Sequence, residues 1–178
     1  MTLVPRPPFV TRVPDGDNRE RDVCGQCGFI HYVNPKVVAG AVIVEEGKVL
    51  LCRRAIQPRR GYWTIPAGFM EVGETVEDGA KREAQEEAMA RISLDGLLGL
   101  YSIPRIGQVQ AIFRARLIEP GFGVGQESLE ARLFAWDEIP WTELAFPSVH
   151  WALNHWRETI GLDTFPPRSN PEGDLGLY

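Results

Sequence analysis

Between Gly68 and Ala90 the chain reads GFMEVGETVEDGAKREAQEEAMA, and no other stretch limits the fold as strongly. Thr75 can cap a helix, and Asp78 three residues on completes a capping-box pattern. With 76–89 on a helix, Val76, Ala80, Ala84 and Ala88 fall four apart and form a narrow face of small side chains. Such a face suits close approach to a sheet. Glu83, Glu86 and Glu87 fall on another face, at spacings i, i+3 and i+4, where each close pair of like charges repels by roughly 0.2–0.5 kcal/mol. A bound divalent cation removes that repulsion, and carboxylate oxygens with water are what Mg²⁺ prefers. A solvated acidic face is the other reading, and the three glutamates alone do not decide between them.

The flanking sequence supplies the sheet. Val37 to Val44 and Lys48 to Arg53 are apolar runs joined by the turn signal Glu45-Glu46-Gly47. Tyr62 to Pro66, Leu94 to Ser102, Gln108 to Leu117 and Ala131 to Trp136 read as further strands. Ala67 to Gly73 and Glu119 to Gly125 read as loops, and Ser148 to Ile160 has the spacing of a second helix. Strands alternating with two helices indicate an α/β domain with a mixed sheet. Residues 1–22 are Pro-rich and charged and read as an irregular arm; the tail after Gly161 reads as an arm that is exposed or bound to a partner.

The 178 residues suit one domain with a full core, and 44% apolar with 24% charged residues is ordinary for a globular chain. A net charge of −5 argues against a nucleic-acid binder that works through phosphate contacts. No apolar run is long enough to span a membrane, and Pro and Arg interrupt the N-terminus where a signal peptide would be apolar. Three cysteines do not make a disulfide framework, so a reduced, cytoplasmic compartment is expected.

The loop ahead of the helix can add to the site. A turn at Gly68 can aim the Ala67 carbonyl at the same cation, Arg82 can hold Glu83, and Glu74 sits near the positive end of the helix. Hydrolysis of a pyrophosphate needs neutralised phosphate oxygens, an activated water and relief of charge on the leaving group, which metals on a carboxylate cluster can supply. On this reading Glu83 activates water or binds metal, Glu86 and Glu87 bind metal, Arg82 orients, and Glu74 supports.

Gly68, five residues, Glu74, seven residues, Arg82-Glu83 and then Glu86-Glu87 resembles the box of the Nudix hydrolase family: six positions agree over twenty residues. Met89 and Ala90 stand where that box ends in Gly and an aliphatic residue, and Ala84 where it has a bulky aliphatic one. The likeness implies an α/β/α sandwich with a mixed sheet over 36–160. It also implies Mg²⁺- or Mn²⁺-dependent hydrolysis of a nucleoside diphosphate linked to another moiety, with the residue 67 carbonyl, Glu83, Glu86 and Glu87 on the metal. A further carboxylate often completes such a site; Glu127 and Glu130 both qualify, with Glu127 preferred. The segment PDGDNRERDVCGQCGFIHYVNPKVVAG resembles the zinc-ribbon segment of a Nudix subgroup that includes FAD and ADP-ribose pyrophosphatases. The domain expectation is therefore an arm with a degenerate zinc-ribbon-like segment over 1–35, the Nudix domain over 36–160 and a tail over 161–178. The alternative is a non-catalytic Nudix domain that senses a nucleotide ligand.

Structural zinc takes four ligands. Only Cys24 and Cys27 form a Cys-x-x-Cys pair, Phe9, Val10 and Thr11 occupy the stretch where the first pair would fall, and His31 is a candidate third ligand. A turn without Zn²⁺ and a zinc site both stay open, the former preferred. Cys52 reads as a small buried hydrophobe. For substrate contacts, Arg53 and Arg54 are candidates for a second phosphate, with a solvated loop the preferred reading for most arginines there, and Tyr101 and Phe69 for stacking on a ring, with core packing preferred for each. A homodimer is expected, because Pro-rich arms at both ends need a surface to pack on.

Overall fold

Local sequence signals explain most of the elements in the computed structural model, which describes residues 8–176. The chain divides into two units, Met1–Asn34 and Pro35–Tyr178. In the first, β1 (Phe9–Arg12), β2 (Arg21–Cys24) and β3 (Ile30–His31) form an antiparallel three-stranded sheet. This corrects the irregular arm expected over 1–22, as far as the described residues reach. Phe9, Val10 and Thr11 favour a pleated strand, and Phe9 pairs with Cys24 in register.

The second unit holds β4 (Lys36–Glu45), β5 (Lys48–Arg54), β6 (Trp63–Thr64), β7 (Ala67–Phe69), α1 (Val76–Ala88), β8 (Ile92–Ile103), β9 (Gln108–Leu117), β10 (Ser128–Phe134) and α2 (Pro147–Glu158). Glu46 and Gly47 both take positive φ, as a two-residue hairpin turn requires. The main path of the sheet is β10-β5-β4-β9-β8. Only β4 and β9 run parallel, so the sheet is mixed. β4 and β5 pair only over Ile43–Glu45 and Lys48–Leu50. Beyond that they part, with β7 joining β4 and β6 joining β5. That split positions the site.

The helices cover opposite faces. α1 lays Ala80, Ala84 and Ala88, all fully buried, on Ala39, Ala41, Ile43, Ala111 and Ala115. Thr75 caps α1 by accepting from the Asp78 N–H at 3.1 Å. α2 packs Val149, Trp151, Leu153 and Trp156 on Trp63, Leu98, Tyr101 and Ile103. The result is an α/β/α sandwich. Two expectations change. Ala67–Phe69 is a strand within the segment read as a loop, because β4 offers it a ladder. β10 runs from Ser128 to Phe134, not Ala131 to Trp136. The tail is largely exposed, as expected, but it is docked: β8 is an edge strand whose free groups need partners. Leu100 N–H donates to the Arg168 carbonyl, Arg168 N–H donates to the Leu98 carbonyl, and Asn170 bonds both backbone groups of Ser102. Trp151 Nε1 donates to Asp174 at 3.0 Å. No helix among the described residues is long and apolar enough to cross a membrane.

Candidate active site

Close packing of α1 on alanines brings the edge of the helix against β7. Glu83 and Glu87 lie on that edge, one turn apart, and are 8% and 5% exposed. Gly68 leaves room beside them: a Cβ there would displace the Glu83 carboxylate. The Ala67 N–H donates to Glu87 Oε2 at 3.1 Å. Burial pushes both carboxyls above the ordinary range, Glu87 to about 8. Each also feels the charge of Glu127, and Glu83 that of Glu86. Glu86 is more open, with its side chain 57% exposed.

Arg82 ties the acidic groups together. Its Nε and Nη2 grip both oxygens of Glu74 at 3.0 and 2.8 Å, a bidentate fork. Nη1 reaches Glu83 at 2.7 Å and Glu86 at 3.0 Å, and Nη2 also donates to the Phe69 carbonyl at 3.0 Å. Glu74 in turn accepts from the Glu71 N–H at 2.7 Å. The Arg82 fork, then that N–H, hold the Glu74 carboxyl down at about 2. Arg82 thus pins the segment between β7 and α1 onto the helix, and Glu74 fixes Arg82.

The C-terminal end of α1 is closed by the following loop. Gly123 N–H donates to Ala88 at 2.7 Å and Gly125 N–H to Glu87 at 3.1 Å, which satisfies carbonyls the helix leaves free. Gly125 has no room for a side chain against the Glu86 carbonyl. This seating brings Glu127 into the electrostatic range of Glu83 and Glu87. Glu130, on β10, stands 4.0 Å from Arg53 instead. Met89 ends the helix in a left-handed conformation at φ 50°.

These groups form one end of a cavity of about 1390 Å³ that opens at the split of the sheet. Arg54, Phe69, Ile103, Gln108, Gln110 and Phe146 help to line it. Arg54 is nearly buried; its Nε donates to the Pro58 carbonyl at 2.8 Å, its guanidinium stacks 5.1 Å over Phe146, and its charge opposes the rise of the Glu87 carboxyl. Phe69 is half exposed, with the Lys36 ammonium 5.1 Å over its ring. Two candidate substrate contacts have other partners. Arg53 is not in the wall: it donates to the Gly61 carbonyl at 2.8 Å and holds the loop. Tyr101 is fully buried, its hydroxyl 2.8 Å from His155 Nδ1. Gln108, Gln110, Ile103 and Phe146 escaped the sequence reading; the period-2 spacing of the two glutamines in a strand was the available signal. Cys52 is buried, bonds the Glu87 carbonyl at 3.6 Å, and burial pushes its thiol up to about 12.

The donor set is hard carboxylate oxygen, partly buried, with more negative charge than Arg82 balances. That chemistry fits Mg²⁺ or Mn²⁺. Arg82 ties Glu83 and Glu86, and among the described residues no three Asp, Glu, His or Cys side chains converge as a ready-made cage. That also leaves the Cys24–Cys27 knuckle without a third ligand. Cys24 is buried and Cys27 exposed. The N–H groups of Cys27 and then Gln26 hold the Cys24 thiol below its usual range. His31 packs its ring 6.0 Å from Phe9.

The family comparison agrees with this geometry. The NUDIX domain family matches residues 34–155, and the Nudix N-terminal zinc-ribbon family matches residues 7–33. An ADP-ribose pyrophosphatase of Methanocaldococcus jannaschii is 34% identical over 119 residues, which span 65% of this chain and 69% of that protein. A MutT-like protein of Streptomyces ambofaciens is 38% identical over 105 residues, 57% of this chain and 64% of that protein. The crystal structure of a NUDIX hydrolase from Nitrosomonas europaea superposes with a TM-score of 0.87 at 45% identity, covering 95% of this chain and 97% of that one. The chain belongs to the Nudix hydrolase family, enzymes that act on phosphorus anhydrides.

Proposed function

We propose that this protein hydrolyses the pyrophosphate bond of a nucleoside diphosphate linked to another moiety, with ADP-ribose and FAD as the substrates to test first. One observation carries the reading: the α1 carboxylates form one end of a cavity of about 1390 Å³, larger than the roughly 300–1000 Å³ of ordinary ligand pockets. A compound with two large halves about a P–O–P bridge suits that volume. The similarity to an ADP-ribose pyrophosphatase supports the same class.

On this reading Glu83, Glu86, Glu87, Glu127 and the Ala67 carbonyl would hold Mg²⁺ or Mn²⁺, which neutralises phosphate oxygens and lowers the pKa of water when bound. Glu83, partly desolvated and therefore more basic than a surface carboxylate, takes a proton from the attacking water. The water oxygen bonds to phosphorus, the bridging P–O bond breaks, and its electron pair leaves on the released phosphate. ADP-ribose would give AMP and ribose 5-phosphate; FAD would give FMN and AMP. Arg82 keeps Glu83 and Glu86 oriented, and Glu74 keeps Arg82. Arg54 and Phe69 are the remaining proposed contacts to substrate, Cys24 and Cys27 a knuckle that works without Zn²⁺. The enzyme acts, on the same reading, in the cytoplasm and as a homodimer, which sedimentation tests.

The activity test is a panel of ADP-ribose, FAD, NADH and dinucleoside polyphosphates with Mg²⁺ or Mn²⁺, run beside Glu83→Gln. Turnover of a nucleoside-diphosphate compound that falls about 100-fold or more in the variant is expected. Equal turnover by Glu83→Gln removes its catalytic role.

A further inference from the structure

The wall of the cavity built by β9 carries a feature that phosphate chemistry does not use. On β9, Gln108, Gln110 and Ile112 follow one another at two-residue intervals, so they share a face of the sheet, and all three line the cavity. Gln108 stands between Lys36 and Ile103 in register and Gln110 between Val38 and Tyr101, so each has an apolar neighbour in Ile103 or Val38. Two half-buried amides on such a wall lose hydration unless another polar group meets them. Gln110 Nε2 donates to Gln108 Oε1 at 3.3 Å. Among the described residues nothing else bonds the two amides, which leaves the Gln108 amino group as donor and the Gln110 oxygen as acceptor. Turning both amides end for end exchanges the roles and leaves the same pair.

We infer that Gln108 and Gln110 read the edge of the substrate's adenine base. This rests on the proposed hydrolase reading, whose two first candidates share an adenylate half. An amide pairs with adenine through the amino group and a neighbouring ring nitrogen, one donor and one acceptor. The spacing suits it. Gln110 is beside Val38, and Val38 is beside Phe69 on β7, next to the Gly68 that abuts Glu83. Two inter-strand steps are about 10 Å, the scale of a nucleoside from its base edge to its 5′ phosphate. A base at the glutamines therefore brings the phosphate bridge to the carboxylates.

The test is calorimetric titration of AMP and of ribose 5-phosphate into the full chain in EDTA, for wild type, Gln108→Met and Gln110→Met. Met keeps the side-chain length, and equal melting temperatures show that the variants fold. Expected are AMP binding about ten-fold or more tighter than ribose 5-phosphate in wild type, and loss of that preference in both variants. Wild type that does not bind AMP, or variants that keep the preference, overturn the inference. Steady-state hydrolysis of ADP-ribose separates this from the catalytic reading. The glutamine variants raise KM about ten-fold with kcat within about two-fold, whereas Glu83→Gln lowers kcat. A wild type that binds AMP and hydrolyses nothing would refute the hydrolase reading and leave the base site standing.

Discussion

Under α1 the sheet offers Ala39, Ala41, Ala111 and Ala115 to Ala80, Ala84 and Ala88, whereas under α2 it offers Leu98, Tyr101 and Ile103 to Trp151, Leu153 and Trp156. The first contact is thin and the second thick. Helix-to-sheet distance follows the size of the side chains between them, so α1 can sit closer to its face. The alanine file itself buries little area per residue, although Ile43, Leu50 and Phe113 lie in the same core. What the thin layer provides is position, because the neighbouring helix edge puts Glu83 and Glu87 against β7, where Gly68 leaves the Glu83 carboxylate room. The thick layer provides area, with tryptophans and leucines removed from water at about 25 cal/mol per Å². Placement of the reactive groups and stability of the fold are thus assigned to opposite faces of one sheet.

Substitutions can break this division. Trp156→Ala leaves a cavity in the thick layer and should lower unfolding free energy by about 3–5 kcal/mol in urea titrations, with the kcat of the folded fraction retained. A loss of kcat larger than the loss of folded protein would contradict the division. Ala84→Leu overpacks the thin layer at about 1–3 kcal/mol, and its kcat should fall by more than that stability loss explains, because α1 must lift from β7. Steady-state kinetics beside thermal melts distinguish the two substitutions.

Glu87 sharpens the comparison through pH. Its folded-state pKa, about 8, lies above the 4.5 of an unburied glutamate. The folded metal-free protein therefore holds a proton that the unfolded chain has released, and stability falls as pH rises from about 4.5 to about 8. Glu87→Gln abolishes this charge burial. At pH 8, in EDTA, it should raise stability by about 1–3 kcal/mol, seen as a higher melting temperature, while activity is lost. A variant less stable than wild type at that pH would show that the carboxylate is not strained by burial.

The smallest effect belongs to Met89. It holds a left-handed φ of 50° at the end of α1, a conformation that glycine adopts without strain. Met89→Gly should raise stability by about 1 kcal/mol, with kcat unchanged in the same assay. The helix end is then a local imperfection and not part of the catalytic geometry.

What could be read in the sequence follows the range of the interaction concerned. Thr75 and Asp78, the file Val76-Ala80-Ala84-Ala88 and the box from Gly68 to Glu87 are local in sequence, so spacing alone located α1 and its carboxylates. β7 was missed because three residues make a strand only where β4 already offers a partner. Spacing leaves Tyr101 open between core packing and a ring platform, because its partner, His155, lies 54 residues away. Gln108 and Gln110 looked like ordinary strand residues until register put them beside Ile103 and Val38. The docking of the tail is not legible because nothing in its Pro- and Gly-rich composition encodes the free edge of β8.

The central claim is that the thin layer holds the α1 carboxylates as a divalent-metal site. Titration of Mn²⁺ at pH 8, followed by electron paramagnetic resonance of the free ion, measures it directly on wild type and Glu87→Gln. The account predicts saturable Mn²⁺ binding by wild type, weakened about 10–100-fold in the variant. Equal affinity in the two proteins, or no binding to wild type, would contradict it.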